Sequence, residues 1–127
     1  MGNWHSFNEN PDGKNVGDCT VRAISTLIGQ SWEETYTELC MQGFLMRDLP
    51  SSNAVWGAYL KSKGFRRCII PEADADGYTV SDFCNDYPKG TYLLAISGHV
   101  VAVKDGEYYD TWDSGGEIPL YSWEKGN

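Results

Sequence analysis

The 127-residue sequence has no paired Cys-x-x-Cys spacing, and its four cysteines, Cys19, Cys40, Cys68 and Cys84, stand far apart. Zinc ligation relies on such paired ligands, so no structural metal is expected. No charged-then-apolar stretch at the start marks a signal peptide. Together these absences favour reduced thiols in a cytoplasmic compartment over a disulfide framework, with Cys40, Cys68 and Cys84 as small buried hydrophobes. No apolar run reaches the length of a bilayer span, so no membrane partner is expected. Positive charge is scarce: 10 Lys and Arg against 18 Asp and Glu give a formal net charge of -8. Nucleic-acid backbones are held by clustered cations, so no nucleic-acid partner is expected either. Internal repeats and low-complexity segments are also absent. What remains, 41% hydrophobic and 22% charged residues, is the composition of one globular domain over 1–127, long enough to bury a core.

The first half of the chain has helical periodicity. Asp18 is placed as an N-cap, its carboxylate available to a first-turn N–H. Val21, Ile24, Leu27 and Ile28 follow at helical spacing, and Gly29 ends the segment in a left-handed conformation. Ser31-Trp32-Glu33-Glu34 reads as a capping box opening a second helix to about Gln42, stopped by Gly43. A third helix begins at Ser51-Ser52-Asn53, turns Val55, Trp56, Tyr59 and Leu60 inward and ends at Gly64. Phe65 to Ile70 is a strand candidate, Pro71 to Gly77 an acidic solvated loop, and Thr79 to Asn85 a short helix. Two readings of the arm are open: Met1-Gly2-Asn3-Trp4-His5-Ser6 fits an N-myristoylation pattern, and Asn3 to Phe7 can add an edge strand.

The second half is extended. Thr91 to Ser97, mostly apolar, reads as a central strand, and His99 to Lys104 as its neighbour. Asp105-Gly106 is a strong two-residue hairpin signal, returning the chain as Glu107 to Asp110. Ile118 to Trp123 can add a last strand, and the aromatic run from Tyr108 to Trp123 suits core and cleft wall. Helices first and an antiparallel meander afterwards make an α+β fold, with N-terminal helices packed on a C-terminal antiparallel sheet.

Two features carry chemistry. Cys19 lies in the first turn of a helix, where unpaired N–H groups and the helix dipole favour an anion, and so favour the nucleophilic thiolate. Pairing outward from Asp105-Gly106 sets Lys104 against Glu107, Val103 against Tyr108, Ala102 against Tyr109 and Val101 against Asp110. Continued, it sets His99 opposite Trp112. His99 and Asp110 are then diagonal neighbours on one face, about 7–8 Å apart at Cβ, within reach of an imidazole–carboxylate hydrogen bond. Asp113 projects to the other face. A thiol nucleophile, an imidazole base and a carboxylate that orients it form a triad by roles: Cys19, His99, Asp110. Arg22, one turn beyond Cys19, has Asp18 or Glu9 as a structural partner.

This order, a Cys opening the first long helix, a His opening a much later strand and an Asp soon after, resembles the papain-like cysteine peptidase superfamily. Asp110-Thr111-Trp112 is similar to that family's Asn-Ser-Trp. In size, and in having Asp for Asn, the chain most resembles the compact peptidase domains of bacteriocin exporters and small papain-like proteins of bacterial and phage genomes. The resemblance implies a papain-like fold and a cysteine peptidase hydrolysing a peptide or isopeptide bond through an acyl-enzyme, with no cofactor. It assigns the triad roles to Cys19, His99 and Asp110 and shielding of the His–Asp bond to Trp112. Two departures stand out. Gly17-Asp18-Cys19-Thr20 replaces the Cys-Gly-Ser-Cys-Trp of the plant and lysosomal enzymes. Gly13 occupies the position of the oxyanion-hole Gln, leaving Asn15 and Asn10 as candidates for its side-chain donor. Two other readings share the fold: a catalytically idle domain that binds or inhibits a partner protein, and a cysteine amidase, acyltransferase or deamidase.

Overall fold

The computed structural model describes residues 3–14, 17–74 and 77–125. Along the chain come β1 (Asn3–Ser6), α1 (Cys19–Ile28), α2 (Trp32–Met46), α3 (Asn53–Ser62), β2 (Phe65–Cys68), α4 (Val80–Asp86), β3 (Thr91–Ile96), β4 (His99–Lys104), β5 (Glu107–Asp110) and β6 (Tyr121–Lys125). A short 3-10 turn, Pro71–Asp74, stands where the acidic loop is expected. The fold is α+β, four helices with one six-stranded mixed sheet in the order β1-β5-β4-β3-β6-β2.

The hairpin follows from its two turn residues. Asp105 and Gly106 both have positive φ, 51° and 78°. That is the mirror-image turn whose twist matches the strands it joins. A side chain at Gly106 would also press on the Cys84 carbonyl and Pro88, each 3.2 Å from where a Cβ would sit. The register set by this turn is Lys104 against Glu107, Val103 against Tyr108 and Ala102 against Tyr109.

The sheet departs from the expected antiparallel meander in three ways. The arm adds β1 as an edge strand, parallel to β5, so the sheet is mixed. After β5 the chain crosses back, and β6 inserts between β3 and β2, antiparallel to both. Helices cover both faces. Leu93, Ala95, Val100, Ala102 and Trp123 point into a core with α1, α2 and α3. Leu94, Ile96, Val101, Val103 and Tyr108 point the other way, into a second core with Val80, Phe83 and Cys84 of α4. Coverage on both sides explains why Leu93 to Ile96 form an unbroken apolar run.

Three local expectations are corrected. Asp18 stands at the N-cap of α1 but makes no side-chain cap bond; Gly29 ends the helix as expected, at φ 68°. Ser31 caps α2 by accepting from the Glu34 N–H, and the helix passes through Gly43 to Met46, where Arg47 takes the left-handed position. Gly43 serves close approach: a Cβ there would stand 2.7 Å from the Asp48 carbonyl oxygen. Among the three cysteines expected in the core, Cys84 is buried, whereas Cys40 and Cys68 are only half-buried. Among the described residues, no helix is long and apolar enough to cross a membrane. Met1 and Gly2 of the myristoylation pattern lie outside the described residues.

Candidate active site

Three element ends meet at one end of the sheet. Cys19 opens α1, His99 opens β4 and Asp110 closes β5. The β4–β5 ladder stops at the Ala102–Tyr109 rung, so the expected Val101–Asp110 and His99–Trp112 rungs do not form. In their place the Asp110 carbonyl accepts from the Phe7 N–H at 3.0 Å and from the Trp4 indole N–H at 3.1 Å, which ties β5 to the arm. Freed from the ladder, the two side chains converge. His99 Nε2 lies 2.6 Å from Asp110 Oδ2. The Cys19 thiol lines the same cleft as this imidazole, whose hydrogen bonding and charge act on it. With Nε2 held by Asp110, Nδ1 is the ring nitrogen left for proton transfer.

Asp110 is 4% exposed, and both oxygens of its carboxylate are engaged. Its Oδ2 also accepts from the Ser114 hydroxyl at 2.8 Å, its Oδ1 from the Thr111 N–H at 2.8 Å, and Arg22 Nη2 lies 3.8 Å from Oδ1. The other arm of Arg22 is hydrogen-bonded to Asp18, whose second oxygen accepts from the Trp32 indole N–H at 2.9 Å. Asp18 therefore fails to cap α1 because its carboxylate is already engaged elsewhere. Asp113 is held by the Tyr108 hydroxyl and the Gly115 N–H, away from His99.

Burial pushes the Cys19 thiol up. Hydrogen bonds to His99 and the Val100 backbone, the His99 charge and a hydrogen bond to Thr20 pull harder the other way, and hold the thiol below its ordinary value. Burial also works against the His99 imidazolium, but the hydrogen bonds and charges of Asp110 and Cys19 raise it to about 9. The two shifts act in the same sense, towards a thiolate beside an imidazolium. The linkage to stability has a definite sign. The folded pKa of His99 lies above its unfolded value, so its contribution is complete below about pH 6.5 and is lost as pH rises through about 9. The expected loss is on the order of 3 kcal/mol. Urea midpoints taken between neutral pH and about pH 10 should fall more steeply for the wild type than for His99→Gln; parallel falls would mean that His99 carries no such shift.

A cleft of about 480 Å³ runs past Cys19 and His99. Gly17, Ser51, Asn53, Trp56, Leu120 and Tyr121 form its walls, and among the described residues no Asp, Glu, Lys or Arg lines it. The Cys19 N–H, first in α1, belongs to the unpaired donors of a helix start and suits a developing oxyanion. Of the two side-chain donors expected beside it, Asn15 lies outside the described residues. Asn10 is a correction: its Oδ1 closes a turn, accepting from the Asp12 N–H at 2.9 Å, and Asn10 does not line the cleft. Asn53 does line it, with Oδ1 held by the Trp56 indole N–H at 3.0 Å, which leaves its amide donors free for a ligand. Trp112 packs against His99, ring centroids 5.1 Å apart, while remaining 43% exposed.

Sequence reasoning missed Ser114, Asn53 and the second arm of Arg22. The i,i+4 spacing of Asp18 and Arg22 is a visible signal for the first arm; the contact with Asp110 leaves no local trace. Compared with protein-family models, with curated proteins and with solved structures, the chain gives no match.

Proposed function

We propose that this chain is a papain-like cysteine hydrolase that cleaves a peptide or isopeptide bond through an acyl-enzyme. The observation that carries the reading is the His99 ring held between Asp110, at 2.6 Å, and the Cys19 thiol. The thiolate attacks the substrate carbonyl carbon, and the Cys19 N–H stabilises the oxygen as it becomes negative. His99 then gives its Nδ1 proton to the leaving amine, the C–N bond breaks and a thioester forms. Water, deprotonated by the now neutral His99, attacks the thioester, and the C–S bond breaks. A carboxylic acid leaves, and the thiolate–imidazolium pair is restored. Asp110 holds the ring in orientation throughout, and Trp112 keeps water from the His99–Asp110 bond. The uncharged walls of the cleft suit a neutral stretch of polypeptide.

The test is incubation of a mixed peptide library in ¹⁸O-labelled water with the wild type and with Cys19→Ala, read by mass spectrometry. New carboxylates carrying ¹⁸O, found only with the wild type, are the expected result. Amine adducts without ¹⁸O would reassign the site to acyl transfer. No change in any peptide, together with an unreactive Cys19, would overturn the enzymatic reading in favour of an idle binding domain.

A further inference from the structure

We infer that Arg22 is a positioning residue whose buried charge sets the pH window of the Cys19–His99 pair, an inference that rests on the hydrolase reading above. Arg22 is 8% exposed and lies between two carboxylates that are themselves buried, Asp18 at 8% and Asp110 at 4%. A guanidinium serving only to brace α1 would need Asp18 alone. Here Nη1 takes Asp18, and Nη2 is directed at the Asp110 oxygen that His99 does not use.

The charges around the pair come from three elements. From α1 and its N-cap come Asp18, Arg22 and the Cys19 thiol; β4 gives His99, and β5 gives Asp110. Tyr109 of β5 shares a small hollow with Arg22, and burial holds its phenol above the ordinary value, so it stays neutral. From α2 comes only the uncharged Trp32 indole, on Asp18. Glu9 and Lys104 lie farther along α1, around Ser25 and Thr26.

Among the described residues, Arg22 is the cation set between the two buried carboxylates, and its removal leaves their negative charge less compensated beside the pair. Loss of a nearby positive charge makes every neighbouring group harder to deprotonate, acids and imidazolium alike. The thiol would hold its proton to higher pH, and so would His99. Removing the charge thus moves the whole reactive window upward, on the order of one pH unit. A mere loss of packing would lower the rates and leave the window in place.

The experiment follows two titrations in the wild type, Arg22→Gln and Arg22→Lys. Iodoacetamide alkylation of Cys19 against pH gives the lower limb, and NMR of the His99 ring protons gives the upper. The chain has only two histidines, so His99 is assigned by comparison with His99→Gln. Arg22→Gln should raise both limbs by about one unit, and Arg22→Lys, which keeps the charge, should restore them. Unmoved limbs in Arg22→Gln, or equal shifts in the two variants, would overturn the inference. If circular dichroism shows Arg22→Gln unfolded, Asp18→Asn decides: removing an anion should lower both limbs, and unchanged limbs would again overturn it. A wild type with no depressed thiol would overturn the hydrolase reading and this inference together. A wild type with both limbs in place and unresponsive variants would remove Arg22 alone.

Discussion

In the His99→Ala variant, the turnover proposed for this site should fall by about 10²–10⁴-fold, the usual contribution of a positioned acid–base group. Two losses combine. The thiol loses the hydrogen bond and charge that hold its pKa down, and burial, the largest single influence on it, then acts unopposed by His99. The leaving amine also loses its proton donor. Alkylation of Cys19 near pH 6 should fall less than turnover, because a thiolate of higher pKa is intrinsically more nucleophilic and partly offsets its own scarcity. The comparison has internal controls, since burial pushes the Cys84 thiol up to about 11 and Cys68 also lies above its ordinary value. The measurement is turnover against the ¹⁸O assay, with mass-mapped alkylation of each thiol. If Cys19 reacts equally fast in both proteins, His99 does not activate it.

Asp110→Ala should be the most destabilising change at the site, by about 3–5 kcal/mol, the usual cost of removing one partner from a buried ion pair. Total domain stability is only about 5–15 kcal/mol, so this is a large share of it. The carboxylate is the meeting point of His99, Ser114, the Thr111 N–H and Arg22, and alanine would leave each short of an acceptor. Asp110→Asn keeps the shape and one acceptor oxygen, so it should stay folded. Its mark would fall on His99, whose pKa should drop from about 9 towards the ordinary imidazole value of about 6.5 as the charge disappears. Urea denaturation of the two variants, with NMR titration of His99 in Asp110→Asn, tests both statements. Wild-type stability in Asp110→Ala, or an unmoved His99 in Asp110→Asn, would refute the central place given to this carboxylate.

Much of this site is legible because its members lie beside strong local signals. A two-residue turn with positive φ at both positions fixes the register of β4 and β5 as far as Ala102 and Tyr109, and strand alternation carried beyond it puts His99 and Asp110 on one face. The burial of Val21, Ile24 and Leu27, with Gly29 behind them, places Cys19 at a helix start. These are short-range constraints of sterics and periodicity, and they act within a few residues. Local reasoning fails where a residue has a distant competitor. Asp18 has the chemistry of a cap, but Arg22 and the Trp32 indole take its oxygens. Gly43 has the chemistry of a helix stop, but the following loop packs so closely that glycine is needed inside the helix. Asn10 has the amide of an oxyanion donor, but it closes its own turn away from the cleft.

By itself, then, the sequence determined the α+β class, the helix starts, the hairpin and the face shared by His99 and Asp110, because periodicity, capping and turn chemistry are encoded in neighbouring residues. Only the tertiary structure decided the rest. Pairing of β1 with β5, insertion of β6 beside β3 and placement of α4 on the second face all close long loops, whose ends meet through burial that no local pattern records. The same closure carries α1 to the end of the sheet. There the Cys19 thiol meets His99, and Arg22 meets Asp110.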